Sequence, residues 1–259
     1  MKLDIYQIDA FANKTFEGNP AAVVPLESWL DDEILQKIAN ENNLSETAYF
    51  VKNDKGYDLR WFTPADEVNM CGHATLASAF VLFNELDFKE DKIIFDTKSG
   101  ELIVSKEGDY LVMDFPALEI EQIDLLDKFE SILGHRPIEV YKSMDYIVVF
   151  EDEEILASIN PDMRALKELD LRGVIATSKS TNYDFVSRFF IPSHGIDEDP
   201  VTGSAHTQLV TYWSGVLGKN SFSAKQISKR GGEVLCELNG DRCIMKGKAV
   251  KYLEGVIKI

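Results

Sequence analysis

A segment that occurs twice constrains this chain more than any other feature. Tyr57-Asp58-Leu59-Arg60-Trp61-Phe62-Thr63-Pro64 returns as Tyr183-Asp184-Phe185-Val186-Ser187-Arg188-Phe189-Phe190-Ile191-Pro192, with the arginine, the aromatic two places on and the proline each displaced by 128 positions. Both copies read as aromatic-rich strands. Each runs through a loop into a small-residue segment, Gly72-His73-Ala74-Thr75 and Gly203-Ser204-Ala205-His206, now displaced by 131, so the second loop is three residues longer. The apolar stretch after each glycine predicts a buried helix, over 73–86 and 204–217, the second closed by Gly218.

The flanking elements match as well. A further helix is predicted upstream of each copy, over 31–42 and 161–169, the first opened by Asp31-Asp32-Glu33, whose charges suit a helix N-terminus. Downstream, strand patterns over 92–97, 101–105 and 110–115 in the first copy, and over 222–228, 233–238, 242–246 and 250–257 in the second, alternate with glycine turns. The duplication divides the chain near 117–122 into an N-terminal half, 1–118, and a C-terminal half, 119–259. Whether the terminal strands cross between halves is open at the level of sequence.

Charge narrows the partners. The formal net charge of −17 repels nucleic acid and anionic membrane surfaces, so the expected partner is a small metabolite. An anionic one would be held by local donors such as helix N-termini and not by the overall field. The start, MKLDIYQIDAF, alternates like a strand and lacks the pattern of a signal peptide, and the longest apolar run, around 74–83, is shorter than the ~20 residues that span a bilayer. Cys71, Cys236 and Cys243 lack the spacing of a disulfide framework or a zinc site, which fits a reducing cytoplasm.

Two glycine-led helix starts related by a repeat suit the binding of a carboxylate, or of the enolate-like charge that develops when a proton is removed beside one. Such chemistry requires neither metal nor cofactor. Polar groups gather beside Gly72 and Gly203: Asp66, Glu67, Cys71 and His73 at the first entry, and His194, Asp197, Glu198, Asp199, Thr202, Ser204 and His206 at the second. Ser204 could equally be a simple helix cap. Ser45-Glu46-Thr47 adds a carboxylate at the mouth of an apolar strand, where it can be rigidly aimed for acid–base work.

Gly18-Asn19-Pro20-Ala21-Ala22-Val23-Val24, Ser45-Glu46-Thr47, Cys71-Gly72-His73-Ala74-Thr75 and Glu198-Asp199-Pro200-Val201-Thr202-Gly203-Ser204-Ala205 together resemble the PhzF family of phenazine-biosynthesis-like isomerases. The resemblance implies an α+β fold like that of diaminopimelate epimerase, with two pseudo-symmetric halves, each a bent, mostly antiparallel sheet or barrel around a central helix, and a cleft between them. It implies that Glu46 is the acid/base carboxylate and that His73, Asp199 and Ser204 act beside it, with Ser45, Cys71, Gly72, Thr202 and Gly203 as substrate contacts. Homodimers are common in that family.

The related epimerases use two cysteines as paired acid and base. Here Cys71 fills one slot but Thr202 fills the other, and a hydroxyl is too weak an acid near neutral pH to replace a thiol. Cys71 remains a candidate reactive thiol, because a helix N-terminus lowers thiol pKa. The rival readings are an amino- or hydroxy-acid epimerase using Glu46 and Cys71, and a non-catalytic metabolite-binding protein. A serine hydrolase built on Ser204, His206 and Asp199 lacks the Gly-x-Ser-x-Gly turn, and a metal site at His194 and His206 lacks diagnostic spacing.

Overall fold

The computed structural model describes residues 1–259 and divides into two compact units, one of residues 1–114 with 246–259 and the other of 115–245. In chain order the first unit comprises β1 (Lys2–Ala10), β2 (Asn19–Leu26), α1 (Asp32–Asn42), β3 (Glu46–Lys52), β4 (Tyr57–Phe62), β5 (Glu67–Val68), α2 (Gly72–Asn84), β6 (Lys92–Thr97), β7 (Gly100–Glu107) and most of β8 (Tyr110–Pro116). The second continues with β9 (Glu121–Gln122), α3 (Leu126–Leu133), β10 (Glu139–Lys142), β11 (Tyr146–Val149), α4 (Glu153–Ser158), α5 (Met163–Lys167), β12 (Val174–Lys179), β13 (Phe185–Ile191), β14 (Ile196–Asp199), α6 (Gly203–Leu217), β15 (Ser221–Gln226), β16 (Gly232–Asn239) and most of β17 (Arg242–Gly247). The last strand, β18 (Ala249–Lys258), pairs antiparallel with β1 along its whole length. It therefore belongs to the first unit, which answers for the last strand the crossing that the sequence left open. Nine residues of β1 need a partner for their backbone groups, and β18 supplies it.

The repeat is visible in the strand registers. β3 runs parallel to β2 and antiparallel to β4, with Tyr49 opposite Arg60, while β12 runs parallel to β11 and antiparallel to β13, with Ala176 opposite Arg188. Arg60 holds Glu67 through Nε and Nη2, both at 2.8 Å, and lies over the Phe62 ring. Arg188 holds Glu198 at 2.8 and 2.9 Å and lies over Phe190. Glu67 follows its arginine by seven residues and Glu198 by ten, the difference being the longer second loop. Arg60 and Lys98 together hold the Glu67 carboxyl down at about 2.

Each unit has one buried helix. In α2, Ala74, Leu76, Ala77, Ala79, Val81 and Leu82 leave almost no polar face, so the helix is covered by β1, β2, β3 and β18. In α6, Trp213 stacks on Phe185 of β13 with ring centroids 5.4 Å apart. The helix predicted over 161–169 shortens to α5, its Asp162 side chain capping Arg164 and Ala165. Helices α3 and α4 have no counterpart in the sequence reading. Their Phe129, Ile132, Leu133 and Leu156 form a core with Val148, Val174 and Phe190.

Candidate active site

The first unit brings Glu46, Cys71 and His73 together. α1 ends at Asn43, a residue type that tolerates the left-handed conformation it adopts here (φ 50°), and the chain turns through Leu44 and Ser45 into β3. Asn42 Nδ2 donates to Thr47 Oγ1 at 3.1 Å, which ties the helix end to the strand start and fixes Glu46 between them. On the neighbouring β2, Glu46 lies opposite Ala21, two residues from Asn19. The turn before Asn19 requires Gly18, whose φ is 67° and where a Cβ would lie 2.1 Å from Ala10 O.

His73 is the second residue of α2 and is almost wholly buried. Its Nε2 approaches Glu46 Oε2 to 3.0 Å as an ion pair, off the line of a good hydrogen bond. Its Nδ1 lies 3.3 Å from Asn19 Nδ2 and 3.5 Å from Cys71 Sγ. Burial opposes a charge on His73, but its pairings with Cys71 and Glu46 outweigh that cost and raise its pKa above the ordinary 6.5. Burial, reinforced by the Glu46 charge, pushes the Cys71 thiol up to about 11. Cys71 is thus a protonated thiol near neutrality, contrary to the lowering expected from its helix N-terminus.

One ligand atom each from Glu46, Cys71 and His73 lies within 4.8 Å of the others, close enough to raise the question of a metal ion. The imidazole presents Nε2 to Glu46 and Nδ1 to Cys71.

The second unit arranges its polar groups differently. Asp199, at the end of β14, accepts a hydrogen bond from Thr202 Oγ1. Gln226, fully buried at the end of β15, donates through Nε2 to Asp199 O at 2.7 Å and to Thr202 Oγ1 at 3.2 Å, and accepts from Thr202 N at 2.9 Å. This one amide pins the loop that leads into α6. Thr202 and Cys71 hold matching extended N-cap positions, and neither side chain caps its helix. Gly72 and Gly203 are the first residues of the two helices. Ser204 is the second residue of α6, not its cap, and its Oγ accepts from Arg172 Nη2 at 2.8 Å.

His206 is fully buried, donates from Nδ1 to Thr202 O at 2.8 Å, and is held neutral because burial lowers its pKa to about 4. With that nitrogen committed to the helix start and Ser204 committed to Arg172, the hydrolase arrangement does not form. His194 sits on an exposed turn beside Ser193.

Asn19, Asp145, Arg172, Gln208 and Gln226 escaped the sequence reading as functional groups. Asn19 stands within the Gly18-Asn19-Pro20 motif. Arg172-Gly173 stands 127 positions after Ser45-Glu46, the offset that also relates Tyr49 to Ala176. That correspondence becomes readable only once the strand registers are known. Gly173 takes the place of Glu46, and a Cβ there would lie 2.7 Å from Phe190 O and 2.9 Å from the Phe189 ring.

Comparison with known proteins places the chain in a family. Residues 8–255 match the PhzC-PhzF family, phenazine biosynthesis-like protein. The chain is 52% identical to an uncharacterized isomerase of Pseudomonas aeruginosa, with all of both chains covered. It also resembles the crystal structure of a PhzF-family phenazine biosynthesis protein of Enterococcus faecalis, with TM-score 0.98, 47% identity and all of both chains covered. A hydroxyproline epimerase of Agrobacterium vitis shares the fold at TM-score 0.63 and 11% identity, over 99% of this chain and 92% of that one. The α+β epimerase-like fold, the isomerase relatives and the match across nearly the whole sequence lead to one conclusion: the chain is an isomerase belonging to the PhzC-PhzF family of phenazine biosynthesis-like proteins.

Proposed function

We propose that Glu46 carries a proton between two positions of a small, carboxylate-bearing substrate, in an isomerisation whose acid–base steps are performed by the protein's own side chains. The observation that supports it most is the pairing of a partly buried Glu46 with an almost wholly buried His73, beside a helix start with no side-chain cap. As a base, the carboxylate takes a proton from an activated carbon and becomes neutral. The electrons left behind delocalise onto the substrate's carboxylate or carbonyl, an anion that backbone N–H groups at a helix start can stabilise. Glu46 then returns the proton, or one exchanged from solvent, to a second carbon.

His73 responds to each change on Glu46. Its charge is supported by the ionised carboxylate, so it loses that support while Glu46 holds the substrate proton and regains it on release. On the far side of the ring, Nδ1–H of a protonated His73 can donate to the Cys71 sulfur, with the Asn19 side chain beside it. In this reading Asp199 and Ser204 bind substrate polar groups, with Ser45, Gly72, Thr202 and Gly203 as lesser contacts. The Thr202 hydroxyl cannot serve as a second acid or base toward the substrate carbon near neutral pH, which favours one carrier over a two-base epimerase.

The test is Glu46→Gln, which keeps shape and polarity but cannot accept a proton. Turnover should fall by about two to four orders of magnitude, the usual contribution of a positioned acid or base, with folding and ligand affinity nearly unchanged. Parent-like turnover would remove Glu46 from the mechanism.

A further inference from the structure

Beneath the start of α6 four side chains close a ring of hydrogen bonds. Asp145, fully buried ahead of β11, accepts from Arg172 Nε at 2.9 Å and Nη2 at 2.6 Å, and from Gln208 Nε2 at 2.8 Å. Gln208, also fully buried, accepts from Asp145 N at 3.0 Å and donates to Ser204 O at 3.0 Å. Arg172 completes the circuit by donating to Ser204 Oγ, with its guanidinium against the Phe189 ring. An arginine held on a buried carboxylate by two parallel bonds and packed on an aromatic face has little freedom to reorient.

A guanidinium has only donors, so Ser204 Oγ can meet it only as an acceptor. The hydroxyl has one proton, and that proton must then point away from Arg172. Accepting from a cation also polarises the hydroxyl and strengthens it as a donor. We propose that Arg172 is a positioning residue that makes Ser204 a committed hydrogen-bond donor at the start of α6, so that the ligand group received there is an acceptor: a carboxylate, carbonyl or enolate oxygen, and not an ammonium or amide N–H. The ligand part of this inference rests on the reading that Ser204 meets the substrate. The Arg172 part stands apart from it.

A thiol at position 204 reports on Arg172 without any substrate. The pKa of Ser204→Cys is read from the pH dependence of alkylation by iodoacetamide, followed by peptide mass, in the parent background and with Arg172→Met or Arg172→Lys. The guanidinium should hold the thiol below its ordinary value of about 8.5; Arg172→Met should raise it by about one unit or more, since a cation at this range shifts a pKa by roughly one to three units, and Arg172→Lys, which keeps the charge but loses the bond to position 204, should raise it by a smaller, measurable amount. Arg172→Lys keeps a positive charge for buried Asp145, so it retains the fold should Arg172→Met lose it, but a single ammonium cannot reproduce the two bonds to Asp145 together with the one to Ser204. An unchanged thiol pKa in a folded variant overturns the inference. With a turned-over substrate, Arg172→Lys and Ser204→Ala should each raise KM, and the double variant should raise it no further than Ser204→Ala alone. Additive effects would show that Arg172 does not act through Ser204.

Discussion

The starts of α2 and α6 share a backbone and differ in chemistry. Both follow an aromatic strand carrying an arginine–glutamate pair, both open from an extended N-cap residue, and both begin with glycine. Around the first stand groups that can exchange protons: Glu46, His73 and the Cys71 thiol. The hydroxyls of the second, on Thr202 and Ser204, are pinned by Asp199, Gln226 and Arg172. One start gathers titratable side chains and the other presents fixed hydrogen bonds. Gly173 makes the division hard to reverse, because the place equivalent to Glu46 has no room even for a methyl group.

That asymmetry can be broken most severely at Gly173. Gly173→Ala should destabilise the protein by about 3 kcal/mol, the upper end of ordinary overpacking, because the new Cβ meets backbone and a buried ring together. Chemical denaturation measures it, and a loss below about 1 kcal/mol would mean that the second unit tolerates a side chain there.

The next effect is on Cys71. With its thiol pushed up to about 11, the thiolate fraction at pH 8 is about two hundredfold below that of an ordinary thiol, and native alkylation should slow at least as much. Rapid alkylation of Cys71 in the folded protein, followed by peptide mass, would restore the reactive-cysteine reading.

His73 gives a graded effect. Its folded pKa is raised, so its stabilising contribution is fully present below about 6.5 and is lost as pH rises through the folded value. Relative to His73→Asn, the parent should therefore lose stability on the alkaline side of 6.5. Parallel melting-temperature profiles for the two proteins across that range would contradict the ion pair. The smallest effect is on turnover in Cys71→Ala, which should stay within several-fold of the parent because no second thiol completes an epimerase pair. Inactivation with an intact fold would favour the two-base epimerase.

Much of this was legible in the sequence. The displacements of 128 and 131 located both arginine strands and both helix starts, because residues close along the chain carry the repeat. The Ser45-Glu46-Thr47 and Cys71-Gly72-His73 motifs named the groups that β3 and α2 bring together. What escaped depends on pairing between distant segments. Asp145 and Gln208 meet across 63 positions, Gln226 and Thr202 across 24, and no local periodicity marks them. The return of β18 to β1 was invisible for the same reason, since a strand pattern does not name its partner. The thiol expectation failed because sequence shows a helix start but not the burial that outweighs it.

The central claim, that Glu46 is the proton carrier, is tested most directly by following the mobile proton. A turned-over substrate incubated in deuterated water is monitored by NMR with the parent protein and with Glu46→Gln. The account predicts that the parent delivers the proton, or a deuteron exchanged onto Glu46, to the second carbon, while Glu46→Gln leaves the substrate unlabelled and unisomerised on the same timescale. Label and product appearing in Glu46→Gln as fast as in the parent would contradict it.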